Sequence, residues 1–270
     1  MALPSFVPDV SDEKRQLVLD KLGGIEAEHD VRILFAIDSG SRAWGFPSPD
    51  SGYDVRFVYA HPVDWYLAVK PGRDVIEGPV DGELSLGGRD IRKALNLLLK
   101  ASPDMLEWLS SPVRYLENDR VNERLIALSG KVAHTPACLH HYLQLGEAQW
   151  QRHVAGRTEL NLNNYFYVLR PALAIRWIRL NPDRLPPMNI QAMSTGLDLD
   201  GETLGEIAQL LALKDNTPEN GDGDRIPLLD RLIEDELAYA RIAPRRRTRH
   251  NLSHEANTLF REIVSESGTR

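Results

Sequence analysis

The sequence contains a single cysteine, Cys138, in 270 residues. One cysteine excludes a disulfide within the chain, and with it the small secreted proteins that disulfides hold together. The apolar neighbours Ala137 and Leu139 favour a buried structural thiol over a catalytic nucleophile. Because a free thiol suits a reducing compartment, we expect a cytoplasmic protein.

Long hydrophobic runs and excess positive charge are also missing. No stretch approaches the roughly 20 apolar residues of a membrane-spanning helix, and residues 1–14 lack the apolar core of a signal peptide. We therefore expect no membrane partner. The 32 Lys and Arg residues against 39 Asp and Glu give a formal net charge of -7. This charge argues against a protein that binds nucleic acid regardless of sequence, although a cleft can still be locally basic.

Some of the positive charge clusters near the C-terminus, where Arg245, Arg246 and Arg247 are followed by Arg249 and His250. Such a run is usually a solvated linker, and it also suits a local contact with nucleic acid. The sequence leaves both interpretations open.

Hydrophobic periodicity predicts an α+β domain over residues 1–118, followed by a helical domain over 119–270. In the first part, the predicted strands are 31–37, 53–60, 74–76 and 83–86, and the predicted helices are 12–29, 90–100 and 104–109. The first two strands are expected to pair, and Asp90 to cap the second helix. From residue 119 onward the pattern predicts helices only, at 121–133, 137–155, 161–180, 203–214, 226–241 and 252–266, with a polar loop at 215–224.

The chemistry of the chain is concentrated between the two stronger strands, from Asp38 to Arg56, in the sequence DSGSRAWGFPSPDSGYDVR. A turn of Ser39, Gly40 and Ser41 lets backbone N–H groups approach a phosphate closely, and the serine hydroxyls add donors.

Two arginines, Arg42 and Arg56, can add positive charge beside that turn. A carboxylate on the following strand, Asp54, can hold Mg²⁺ against bound phosphates, because hard cations prefer oxygen ligands. Trp44 suits either a wall of the fold or a stacking platform for a base.

The segment resembles the nucleotidyltransferases of the DNA polymerase β superfamily, whose signature is a Gly-Gly or Gly-Ser turn followed by Asp-x-Asp. More narrowly, GSRAWGFPSPDSGYDVRFVY is similar to the RlaP/YcgL-like branch, described as an RNA-repair-pathway polymerase-β family. Further blocks fit the same branch: DIRKAL at 90–95, LEWLSSP at 106–112 with Tyr115, and YFYVLRP at 165–171. The resemblance spans roughly residues 33 to 187. It implies a small mixed sheet with helices, followed by a helical C-terminal region.

The same resemblance implies carboxylates at positions 52 and 54, which share one face of a strand. Here they are Gly52 and Asp54. The nearby Asp50 lies four residues from Asp54, which is ~13 Å in an extended chain. It can replace the missing ligand only where segment 49–53 curls.

A third implied carboxylate aligns with Ser85, and Glu83 on the same strand face is the candidate replacement. An implied basic pair is replaced by Asn163 and Asn164. Arg170 is a further candidate, since Pro171 is expected to kink or break its helix and could turn Arg170 into the cleft.

The resulting prediction is transfer of a nucleotidyl group from an NTP, with ATP expected, by Mg²⁺- or Mn²⁺-assisted phosphoryl transfer. The acceptor stays open between an RNA end, another nucleic acid, a protein side chain and a small molecule. The alternative is a pseudoenzyme that binds nucleotide or a partner in a regulatory role, and an engineered Gly52 would not explain Ser85. The predicted residues are Asp54 and Asp50 for catalysis, Ser39, Gly40, Ser41, Arg42, Arg56 and Arg170 for phosphate, and Asp54, Asp50 and Glu83 for metal.

Overall fold

The computed structural model describes residues 3–8, 10–70, 72–78, 82–132, 134–244 and 251–267. The chain packs as two compact units, each built from discontinuous segments. The sheet unit comprises Pro8–Gly40, Gly52–Ala133 and Thr248–Arg270. The helical unit comprises Met1–Val7, Ser41–Ser51 and His134–Arg247. The segments of the two units alternate along the sequence. The domain boundary predicted after residue 118 remains a prediction.

The described residues form an α+β fold. Its strands are β1 Arg32–Asp38, β2 Tyr53–Ala60, β3 Val75–Glu77, β4 Leu84–Asp90, β5 Arg114–Leu116, β6 Glu159–Asn161 and β7 Asp222–Asp224. Its helices are α1 Asp12–His29, α2 Ser41–Trp44, α3 Val63–Tyr66, α4 Ile91–Leu99, α5 Pro103–Ser110, α6 Asp119–Ser129, α7 Thr135–His153, α8 Leu162–Leu180, α9 Ile190–Ser194, α10 Gly201–Asp215, α11 Pro227–Ile242 and α12 Ser253–Ser267.

The sheet unit is organised around a mixed five-stranded sheet in the order β3-β4-β2-β1-β5. The apolar, β-branched and aromatic composition of β1 and β2 suits two central strands, and both are almost wholly buried. They pair antiparallel, with Asp38 opposite Val55, which confirms the predicted pairing. β4 runs parallel to β2, so the start of β4 lies beside the start of β2.

Helix α4 begins where β4 ends, and the side chain of Asp90 accepts a hydrogen bond of 2.8 Å from the Arg92 N–H. This confirms Asp90 as the N-cap. Residues Ile91, Ala94, Leu95 and Leu98 of the same helix are buried, as their spacing predicts.

In the helical unit, α7, α8 and α11 pack against one another, and β6 pairs with β7. The expectation of helices only beyond residue 119 was therefore wrong at these two strands, because three-residue strands are too short to show a period. Helix α8 continues through Pro171 without a break. Its residues are buried on nearly every side, and that packing outweighs the local cost of proline.

Within the part of the chain that the structure describes, no helix combines the length and the apolar character needed to cross a membrane.

Candidate functional site

The turn that follows β1 is organised by a buried carboxylate. Asp38 Oδ1 accepts a 2.9 Å hydrogen bond from the Gly40 N–H. Its Oδ2 accepts from the Asp54 N–H and the Tyr115 hydroxyl, each at 3.2 Å. The Asp38 side chain is fully buried, so these hydrogen bonds offset its cost of desolvation. They also fix the turn to the start of β2.

Gly40 allows the carboxylate of Asp54 to lie directly against this turn. A Cβ atom at position 40 would lie 2.5 Å from Asp54 Oδ2 and 3.1 Å from Asp54 Cβ. The Ser39 N–H and hydroxyl both donate to the Asp54 carbonyl oxygen, at 2.9 and 3.2 Å. The donors of Ser39 and Gly40 thus hold the turn itself, and their role in binding phosphate remains a prediction.

Asp54 shares its face of the sheet with an arginine. Arg56 Nη2 lies 3.4 Å from Asp54 Oδ1, and Arg56 Nη1 donates to Ser85 Oγ at 3.2 Å. Ser85 lies opposite Asp54 in the β2–β4 register. The Asp54 side chain is 48% exposed and that of Arg56 is 26% exposed. Such a pair adds little to stability, and it places a carboxylate and a guanidinium side by side on one face of the sheet.

The resemblance implies a metal-binding carboxylate at position 52, and Glu83 is the candidate replacement for the one missing at Ser85. A Cβ atom at Gly52 would lie 2.7 Å from the carbonyl oxygen of Glu83. That oxygen also accepts a 2.7 Å hydrogen bond from the Tyr53 N–H. The Glu83 carboxylate pairs with Lys14 at 3.0 Å. This hydrogen bond raises the pKa of Lys14.

The predicted residues Ser41, Arg42 and Asp50 belong to the helical unit. Ser41 Oγ donates to Ser51 Oγ at 3.1 Å, and Arg42 donates to the Ser51 carbonyl oxygen at 2.7 Å. Asp50 Oδ1 accepts a 2.8 Å hydrogen bond from the Glu219 N–H. Asp50 therefore binds the turn after α10, whereas Asp54 lies in the sheet unit.

A buried lysine that the sequence analysis missed also holds segment 41–51. Lys214 is wholly buried on α10, and its ammonium donates to the Ser48 hydroxyl. Burial lowers the pKa of Lys214, although Glu219 and Asp50 oppose this shift. Lys214 follows the buried Leu210 by four residues and the buried Leu211 by three. That spacing is the sequence signal that could have placed it on the inner face of the helix.

Arg170 is buried in the helical unit, on a helix that continues through Pro171. Its Nε donates to the Met188 carbonyl oxygen at 3.1 Å, and its guanidinium carbon lies 4.9 Å from the centre of the Trp44 ring. Asn163, at the position of the implied basic pair, donates from Nδ2 to the Tyr167 hydroxyl at 3.1 Å. The basic run at 245–250 lies outside the described residues.

Comparison with known proteins gives the family. Residues 15–262 match the model of RlaP, the RNA repair pathway DNA polymerase beta family. The chain belongs to this family. It is also 35% identical to the uncharacterized protein YcgL of Bacillus subtilis (strain 168) over 254 residues, which cover 93% of this chain and 97% of the relative.

A crystal structure of a nucleotidyltransferase-like protein from Exiguobacterium sibiricum 255-15 aligns over 93% of this chain and 80% of its own. Its sequence identity is 15% and its TM-score is 0.30, so the family assignment rests on the sequence matches. The predicted RlaP/YcgL resemblance is thereby confirmed.

Membership makes this RlaP-family chain a nucleotidyltransferase-like protein, and it does not favour the pseudoenzyme alternative. In the sheet unit, the fold brings together Ser39, Gly40, Asp54 and Arg56. Glu83 is paired with Lys14. Among the residues described, no group of three or more His, Cys, Asp or Glu side chains could hold a metal ion.

Proposed function

We propose that this RlaP-family protein transfers a nucleotidyl group from an NTP, with ATP expected, to an acceptor hydroxyl. The observation that carries the proposal is the half-exposed carboxylate of Asp54, which lies against Gly40 and beside the guanidinium of Arg56. Membership in a DNA polymerase beta family supports the same class of reaction. The lone buried Cys138 supports a reducing, cytoplasmic setting.

In this reaction the acceptor oxygen bonds to the α-phosphorus of the nucleotide. The bond from that phosphorus to the bridging oxygen of pyrophosphate breaks, and the acceptor proton passes to solvent. The planar guanidinium of Arg56 suits two phosphate oxygens at once. Its hydrogen bonds to Ser85 keep it beside Asp54 while negative charge develops on the phosphate.

We propose that Asp54 would hold Mg²⁺ or Mn²⁺ together with the phosphates of the nucleotide. Mg²⁺ is commonly held by one or two carboxylates together with substrate phosphates and water, and the exposed Asp54 carboxylate supplies one such ligand. A bound ion neutralises phosphate charge. For Asp50 to bind the ion, its hydrogen bond with the Glu219 N–H would have to break. For Glu83 to do so, its ion pair with Lys14 would have to break.

The proposed acceptor is the terminal hydroxyl of an RNA strand. The description of the family as an RNA repair pathway family supports this choice. The net charge of -7 does not exclude an RNA strand, because a cleft can be locally basic while the rest of the surface is not.

The test uses ATP labelled at the α-phosphate, a single-stranded oligoribonucleotide and Mg²⁺. We expect label to move to the oligonucleotide and pyrophosphate to be released in equal amount. Asp54→Asn should lower the rate roughly a hundredfold or more, the scale on which loss of one preorganised electrostatic group acts. The control is Asp64→Asn, which changes an exposed carboxylate of α3 in the same unit. Equal rates for Asp54→Asn and the unmodified protein would overturn the proposal.

A further inference from the structure

The ammonium of Lys214 is a charged group in the interior of the helical unit. Lys214 is wholly buried on α10, on the same face of that helix as the buried Leu210 and Leu211. Burying an ammonium costs free energy, and an apolar side chain of similar volume would pack there without that cost. A charged group retained against the local packing pattern indicates a role other than packing. The role follows from what the ammonium holds, which is the hydroxyl of Ser48.

Ser48 and Ser51 are the two ends of a tight, buried turn. The Ser51 N–H donates to the Ser48 carbonyl oxygen at 3.1 Å, and the Ser48 N–H donates to Ser51 Oγ at 2.8 Å. Ser51 Oγ also accepts from Ser41 Oγ at 3.1 Å and donates to the Glu219 carboxylate at 2.8 Å. The Ser51 hydroxyl thus uses its one donor and both of its lone pairs. Since Lys214 holds Ser48, the place of the whole turn is set from α10.

This turn in its turn sets the direction of Arg42. The Nη2 atom of Arg42 donates to the Ser51 carbonyl oxygen at 2.7 Å, and the Arg42 side chain is partly exposed. A carbonyl is neutral, so this hydrogen bond orients the planar guanidinium without cancelling its charge. Arg42 follows Gly40 by two residues, in the segment that the sequence predicts to bind phosphate.

We propose that Lys214 is a positioning residue for nucleotide binding: through the turn of Ser48 and Ser51 it holds Arg42 in the orientation that binds a phosphate of the nucleotide. Lys214 itself is wholly buried and touches no ligand. The inference rests on the proposed function, because it takes Arg42 as one of the groups that hold the phosphates of the NTP.

The test is calorimetric titration of the full chain with ATP and Mg²⁺, and with tripolyphosphate as a probe that has no base. Lys214→Met keeps the length of the side chain and removes the ammonium. It should weaken the binding of both probes roughly three- to tenfold, the scale of one lost hydrogen bond. Ser48→Ala removes the hydroxyl that accepts from Lys214 and should act in the same direction. Ser48→Ala carries the test if the melting curve of Lys214→Met shows that this variant does not fold.

A double-mutant cycle with Arg42→Gln separates a positioning role from a merely structural one. Arg42→Gln alone should weaken ATP binding roughly tenfold, because it removes a charged hydrogen-bond donor. In that background Lys214→Met should change ATP binding by less than about twofold, because the group that it positions is gone. An equal effect of Lys214→Met with and without Arg42 would overturn the proposal. Unchanged ATP binding by both Lys214→Met and Ser48→Ala would overturn it as well.

The matched control is Leu210→Met, which conserves volume at a buried residue one turn earlier on α10. It should bind ATP as the unmodified chain does.

Failure of this proposal and failure of the proposed function can be told apart. ATP binding that depends on Lys214 through Arg42, without transfer of label to the oligonucleotide, would refute the proposed function alone. Label transfer with ATP binding that ignores Lys214→Met and Ser48→Ala would refute the positioning role alone. Absence of ATP binding would refute both.

Discussion

The carboxylate of Asp54 lies so close to Gly40 that a methyl group at residue 40 would be 2.5 Å from Asp54 Oδ2. Real Cβ atoms do not approach an oxygen that closely, so the position tolerates only glycine while Asp54 stays in place. The glycine of the Gly-Ser turn therefore has a steric role toward the carboxylate, in addition to any role toward phosphate.

Gly40→Ala is predicted to displace the Asp54 carboxylate and so to lower nucleotidyl transfer roughly tenfold or more. The crowded atoms belong to a half-exposed side chain that can rotate away, so the free energy of unfolding should fall by about 1 kcal/mol or less. Transfer of label from ATP and chemical denaturation measure the two effects. The control is Gly23→Ala in α1, where an added Cβ meets nothing within 4 Å. An active and fully stable Gly40→Ala protein would show that the turn is looser than described.

Gly52→Asp is predicted not to restore a second metal carboxylate. Any Cβ at residue 52 would lie 2.7 Å from the backbone oxygen of Glu83, and that oxygen is held by the Tyr53 N–H. The start of β2 or β4 would have to shift, so we expect a loss of about 1–3 kcal/mol in unfolding free energy.

Gly52→Ala should show the same loss, because the clash comes from the Cβ atom common to both variants. Denaturation curves and the Mg²⁺ dependence of ATP binding test this pair. The opposite result is a Gly52→Asp protein that is as stable as the unmodified chain and binds ATP with stronger Mg²⁺ dependence. It would mean that β4 readily makes room for the carboxylate.

Local sequence patterns predict most of the helices and strands of the described residues. The span of β2 follows from the β-branched and aromatic residues of Tyr53–Ala60, and the Asp90 cap follows from a side chain one position before an amphipathic helix. The strands β6 and β7 could not be predicted, because each is three residues long and its pairing joins segments far apart in sequence.

The candidate site was harder to predict because its carboxylates are positioned by distant partners. Asp50 is held by Glu219, 169 residues away, and Glu83 by Lys14, 69 residues away. Neither partner is visible from local spacing. The prediction of Asp54 depends on a turn and a strand that are adjacent in sequence and on the Asp-x-Asp pattern of the family, so it needs no distant partner.

Arg56→Gln is predicted to lower transfer roughly a hundredfold, since it removes the charged group that we propose contacts the phosphate. Arg56→Lys should restore little, because an ammonium cannot make the forked contacts of a guanidinium. Stability should change by less than about 1 kcal/mol, because the pair with Asp54 is partly exposed to solvent. Arg73→Gln removes another exposed ion pair of the sheet unit and serves as the control. Full activity in Arg56→Gln would remove this residue from the proposed mechanism.

His61 is predicted to make the stability of the protein depend on pH below about 6.5. Its ring stacks on Trp65 with centres 3.9 Å apart, and burial lowers its pKa. The unfolded chain therefore binds a proton at a higher pH than the folded chain. The stabilisation is present above the unfolded pKa and is lost as the pH falls through the folded pKa.

The measurement is the melting temperature of the unmodified chain between pH 7.5 and 5. His61→Phe keeps an aromatic ring against Trp65 but cannot be protonated, so its melting temperature should fall less over this range. His140→Gln, which changes an exposed histidine of α7, should retain the dependence of the unmodified protein. If His61→Phe and the unmodified chain lose stability equally on acidification, other groups cause the loss, and the buried ring of His61 accepts its proton without cost to the fold.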